Sequence, residues 1–188
     1  MTKFTLEQSW FPHFLFTSRE SAPLWFVVRL YVGYEWLIAG IDKVMNPAWF
    51  GTGAGGAIKG FVAGALRKTA EFCKPDAACH PDVQMWYAGF LKDAVLPYPV
   101  AWSNAIAVGE VLVGIGLIVG AVVGVAAFFG ALMNLNFMLA GTVSINPILF
   151  TLSIGLILAW RIAGYWGLDR YVLPRLHSRS KLYGSSSA

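Results

Sequence analysis

Charged side chains are scarce in this chain: 13% of its 188 residues are charged, against 57% hydrophobic. With a mean hydropathy of +0.60, that shortage excludes an ordinary soluble domain and points to a bilayer. Cysteine is nearly absent, with two residues, and histidine has three. There is no C-x-x-C-H haem attachment, no His pair at metal-ligand spacing and no dinucleotide-binding glycine pattern. No metal is expected, and electrons, if the chain handles them, have to come from a partner or from the cysteine pair. The opening MTKFTLEQSWFPHF has no basic cluster followed by an apolar core and a small-residue cleavage site, so no removable signal is expected. Net charge is +4, but the basic residues gather toward the chain ends, as membrane topology requires, and nucleic acid is not an expected partner.

Apolar length is plentiful. A span needs about 20 predominantly apolar residues, and four segments qualify, near 22–45, 101–121, 125–143 and 147–166. The first opens with Pro23 and stops before Asn46-Pro47, a helix-ending pair. The stretch from Val100 to Val143, as one helix, would reach roughly 65 Å, twice the hydrocarbon thickness, so it has to fold back; Gly116, Gly120 and Gly124 suit the turn. Ser144, Asn146 and Pro147 break the next helix. The expectation is all-α: a polytopic membrane protein forming a single up-down four-helix transmembrane bundle, with an outer loop over 46–98 and tails at 1–21 and 167–188.

Lys3, Arg19, Arg170, Arg175, Arg179 and Lys181 lie on the tail side, which places both termini in the cytoplasm of a cell-membrane protein. The loop's Lys59, Arg67, Lys68, Lys74 and Lys92 are spread more thinly and accompanied by Glu71, Asp76, Asp82 and Asp93. Within the loop, VQMWYAGFLKDAVL (83–96) puts Val83, Trp86, Tyr87, Phe90, Leu91 and Ala94 on one helical face. A weaker pattern occupies 56–68, and together the two form a lid over the outer mouth.

Ionisable groups interrupt the first span, RLYVGYEWLIAGIDKV (29–44). Arg29, Trp36 and Lys43 share one stripe, with Glu35 and Asp42 on a neighbouring one. Asp42 and Lys43 sit near the span's end, where they either reach the interface or face inward; Glu35, and Glu110 in the second span, lie halfway across, where charge is expensive and demands a partner. Asn134, Asn136 and Arg161 supply candidates on the other spans. The alternatives are a hydrogen-bond network setting helix register and a polar site for a ligand or proton. Gly109, Gly116 and Gly120 are expected to admit close helix packing.

Four sequence runs resemble the DoxX/DoxD family of small four-span membrane proteins, its DoxD type in particular. They are R-x3-G-x6-G-x2-K (Arg29, Gly33, Gly40, Lys43), G-E-x-L-x-G-x-G-L (Gly109 to Leu117), NPAWFGTG (46–53) and NFMLAGTVSINP (136–147), and the resemblance covers about 22–174. It implies the small subunit of a thiosulfate:quinone oxidoreductase, working beside a second redox subunit and passing electrons from thiosulfate or a related thiol to membrane quinone. It also makes Arg29, Lys43 and Glu110 core positions.

A quinone needs an apolar slot, donors for its two carbonyl oxygens and a proton source. Arg29 or Lys43 suits the donor role, with Trp36, Asn134, Asn136 and Arg161 beside them as binding candidates; Glu35 or Glu110 suits the proton relay. Cys73 and Cys79 flank a Pro-Asp turn signal in CKPDAAC, and stand as a loop disulfide, an exchanging thiol or unpaired cysteines. Other readings are a non-catalytic scaffold for a soluble redox enzyme, whose charges merely lock the bundle, and a small-solute transporter, which four spans would support only as a homo-oligomer. Membrane lipid is a partner in all of them.

Overall fold

In a computed structural model of the chain, the structure describes residues 10–72, 81–171 and 174. Cys73 and Cys79, and with them the disulfide or thiol expectation, lie outside the described residues, as do Lys3, Lys74, Asp76, Arg175, Arg179 and Lys181. The described residues are helical, with one isolated bridge between Thr69 and Val83 and no strand.

A short helix, α1 (Trp10–Thr17), leads through a single 3-10 turn into α2 (Ala22–Met45). Proline in the first turn of α2 costs no internal hydrogen bond, and at its end Asn46 turns extended, its N–H bonding back to the Lys43 carbonyl. Helix α3 (Gly56–Leu66) follows, then α4 (Met85–Phe90), which widens into a π-helical turn over Leu91–Val95. Helix α5 (Pro99–Val119) again opens on proline and ends on Gly120 at φ 71°, a left-handed cap that only glycine adopts without strain. Helix α6 (Val123–Leu139) and α7 (Asn146–Leu158) complete the packing, with a last turn, α8 (Trp160–Ala163), after a break at Ala159.

Two helical segments are long and apolar enough to cross a membrane, Arg19–Met45 and Pro99–Val119. The other two are shorter than the apolar runs that contain them: α6 has 17 residues and α7 has 13, about 26 Å and 20 Å of helix. The difference from 125–143 and 147–166 is local. The α6–α7 turn takes Gly141 and Ser144 into positive φ, and α7 breaks at Ala159 although no proline or glycine marks the place.

Helices α2 and α5 pack most intimately. A Cβ on Gly40 would lie 2.6 Å from the Val111 nitrogen and one on Gly114 2.6 Å from the Leu37 nitrogen, so backbone meets backbone along this seam. Of Gly109, Gly116 and Gly120, expected to admit close packing, Gly116 does so against α6 and Gly120 against Arg29 and Gly167, whereas Gly109 does not. Gly109 meets only the Met133 sulfur, at 3.5 Å, Gly116 faces Ala126 on α6, and Gly120 is needed for its backbone angle. Outward faces are apolar on all four long helices, including Tyr34, Ile38, Leu112, Phe128, Phe129 and Leu158.

Two cores result. Trp25, Val32, Trp36, Val113, Leu117, Ala127 and Leu156 form one among α2, α5, α6 and α7. The segment between α2 and α5 builds the other, with Ile58 and Val62 of α3 against Tyr87, Leu91 and Val95. Of the apolar face expected for 83–96, Trp86 and Phe90 remain exposed, at 65% and 36%. The buried positions are Val83, Tyr87, Ala88, Leu91 and Val95, a narrower face at ordinary helical spacing.

Candidate functional site

The second core caps one end of the first, and between them lies a cavity of about 290 Å³. Its floor comes from one face of α2, where Glu35, Trp36, Ala39 and Lys43 follow each other at helical spacing, and from Glu110 of α5. Trp49, Phe61 and Phe137 wall it with aromatic rings, and Thr142, Ser144 and Asn146 of the α6–α7 turn complete its rim.

Within the cavity, Lys43 Nζ donates to Glu110 Oε2 at 2.7 Å; the carboxylate side chain is 1% exposed and the lysine 19%. Close packing at Gly40 brings them together, since that glycine rests on the Glu110–Val111 backbone one turn before Lys43. The ammonium also stands 5.2 Å from the centre of the Trp49 ring, a second favourable contact for a partly desolvated cation. Trp49 is held in turn by Ser103, whose hydroxyl donates to its carbonyl at 2.6 Å. Glu35 lines the same cavity half-buried, without an ion pair among the described residues. Trp36 is 3% exposed, and its indole Nε1, beside Gly130, has no acceptor.

Arg29 sits elsewhere. It is 14 residues before Lys43 on the same helix, about 21 Å away. Its Nη1 donates to the Leu117 carbonyl at 2.8 Å and to that of Ile118 at 3.4 Å, and its Nη2 donates to Trp166 at 3.3 Å. Those carbonyls belong to the last turn of α5 and to the chain after α8, so the guanidinium satisfies helix-end acceptors that would otherwise be orphaned. Asp169 is the opposing charge. Its two carboxylate oxygens accept the Val122 and Val123 N–H groups at 2.6 and 2.9 Å, capping α6.

No family model, curated protein or solved structure matches this chain. What the site does is therefore a question of its chemistry.

The structure gathers Glu35, Trp36, Lys43 and Glu110 and leaves the other candidates outside. Asn134 is fully buried on α6 with neither side-chain atom partnered. Asn136 accepts the Tyr87 hydroxyl at 3.1 Å and donates to its own helix at Leu132. Arg161 is exposed and stacks 5.0 Å from the Trp160 ring centre. The sequence reading missed the cavity's aromatic walls, Trp49, Phe61 and Phe137, together with Ser103 behind Trp49, and, at the Arg29 cluster, Asp169. Among the described residues no three His, Cys, Asp or Glu side chains are grouped as metal ligands.

A buried cation and carboxylate under aromatic rings can bind a flat polar ring, exclude water from it and exchange a proton with it. Glu110 is the most buried ionisable group of the cavity, and Glu35 is half-buried.

Proposed function

We propose that this chain is the membrane subunit of a sulfur- or thiol-linked redox system, accepting electrons through a second subunit and delivering them to membrane quinone at the Lys43–Glu110 cavity. In this reading α2, α5, α6 and α7 form a four-helix transmembrane bundle, with both termini cytoplasmic and the 46–98 segment outside. The apolar outward faces of all four helices support that placement, because exposed apolar surface of this extent is a membrane or partner surface. The DoxD-like runs support the chemistry: Gly40, Lys43, Glu110 and Gly114 are motif positions, and they meet along one helix seam.

The observation that carries the reading is the buried Lys43–Glu110 pair facing an aromatic-walled cavity. The residues fit a quinone ring: Trp49, Phe61 and Phe137 match a flat ring, and Lys43 is a donor for carbonyl oxygen. A bound quinone would supply a two-electron, two-proton acceptor. Lys43 would orient the ring through one oxygen, the Lys43–Glu110 pair would exchange a proton with that oxygen, and Glu35 would stand as a second carboxylate in the same cavity. Electrons enter from the partner subunit, which oxidises the sulfur donor.

The test is quinone reduction by the assembled complex with Glu110→Gln. Loss of most turnover with normal assembly supports the reading, and full activity refutes it. One observation favours a scaffold instead: the hydrogen bonds Arg29 makes among the described residues all go to backbone carbonyls, the bundle-locking use of charge that a non-catalytic subunit needs. A complex that assembles and turns over without quinone in its extracted lipid selects that second reading.

A further inference from the structure

A cavity of about 290 Å³ is at the small end for organic ligands, which occupy roughly 300–1,000 Å³. It has room for a headgroup, and any long tail has to leave. Phe61 and Phe137, meeting edge to face with centroids 6.1 Å apart, line both this cavity and a second one of about 140 Å³. That second cavity in turn shares Trp102, Ile106 and Met133 with a groove of about 530 Å³ on the outer face of α5 and α6. Three voids thus run in series from the charged pair to the surface, each sharing side chains with the next.

The groove is almost wholly apolar, and small residues, Ala105, Gly109, Gly116 and Ala126, hollow it out. Gly109 is the informative one. Gly114 on the same helix has its side chain forbidden by the backbone of α2, whereas a Cβ on Gly109 meets nothing closer than the Met133 sulfur at 3.5 Å. Helix packing therefore does not require glycine there. What the missing side chain does is leave the groove floor open.

We infer that the ligand of the Lys43–Glu110 cavity is a polyisoprenoid-tailed quinone whose tail parts the touching Phe61 and Phe137 rings that separate the two inner voids and lies in the α5–α6 groove over Gly109. The inference rests on the quinone reading above and adds the tail's route. Binding of the ring alone depends on the inner cavity, and binding of the tailed molecule depends on both.

The experiment uses the purified full chain in detergent and two probes, a benzoquinone with a polyisoprenoid tail and the same ring bearing a methyl group in its place. Quenching of tryptophan fluorescence reports binding. Gly109→Leu fills the groove, and Val108→Leu, on the same helix outside it, is the control. The expected result is about tenfold weaker binding of the tailed quinone to Gly109→Leu, the loss equivalent to roughly two methylene groups of contact, with the tail-less ring unaffected and Val108→Leu like wild type. Equal affinity of wild type and Gly109→Leu for the tailed probe overturns the route, as does an equal loss for both probes or the same loss in Val108→Leu. If the ring binds wild type but groove variants make no difference, only the tail route fails; if neither probe binds wild type, the quinone reading fails with it. Should Gly109→Leu not fold, Ala105→Val narrows the same groove and is read by the same outcomes.

Discussion

Removing the two halves of the Lys43–Glu110 pair should have unequal consequences, because the partners are unequally buried. At 2.7 Å the direct attraction is about 6 kcal/mol at an effective dielectric of 20, most of it offset by the desolvation of both groups. Lys43→Met strands a carboxylate that is 1% exposed, and stranding a buried charge costs about 3–5 kcal/mol. Glu110→Gln leaves the ammonium 19% exposed and still beside the Trp49 ring; that loss should be about 1–2 kcal/mol. Combining Lys43→Met with Glu110→Leu should recover most of the Lys43→Met loss, since no unpaired charge remains. Thermal unfolding in detergent, followed by tryptophan fluorescence, reads the series; at about 2–4 °C per kcal/mol for a chain of this size, Lys43→Met should fall on the order of 10 °C. Equal losses in the two single variants, or additive losses in the double, would refute the reasoning that burial of Glu110 dominates.

Two further outcomes follow from the packing and from the segment above the cavity. Gly40→Ala places a methyl 2.6 Å from the Val111 nitrogen; backbone cannot yield as a side chain does, so a loss of about 1–3 kcal/mol or more is expected, read as a lowered unfolding temperature, whereas Gly109→Ala should be nearly neutral in the same assay. Burial raises the Tyr87 phenol to about 12, and its hydroxyl donates to the Asn136 carbonyl at 2.9 Å. Because the folded value is raised, the stability it contributes is intact below about 10, the ordinary value, and is lost as pH climbs toward 12; difference titration of wild type against Tyr87→Phe in the ultraviolet should show a phenol that resists ionisation until then, and ionisation near 10 would contradict its burial.

Composition and apolar run length sufficed to read an all-helical chain, because burying backbone in an apolar medium leaves few alternatives to helix. Pro23, Asn46-Pro47 and Gly120 marked helix ends through backbone chemistry that acts locally, and those ends appear at α2 and α5; the proline that opens α5 was passed over. The break at Ala159 carries no such residue, and nothing local announced it. Helical spacing likewise put Arg29, Trp36 and Lys43 on one stripe with Glu35 on the next, but it could not say which acid faced which base: Arg29 and Lys43 end about 21 Å apart, one on helix-end carbonyls and the other on Glu110.

What the sequence by itself determined, then, was the helices this chain forms and the faces that carry charge, because those depend on neighbours within a turn or two. Tertiary structure alone decided that Lys43 meets Glu110, that Arg29 binds backbone carbonyls, that Trp49 roofs the cavity and that Gly40 and Gly114, rather than Gly116 and Gly120, let α2 touch α5. Such pairings depend on the rotation and depth at which separate helices dock, which no one helix encodes.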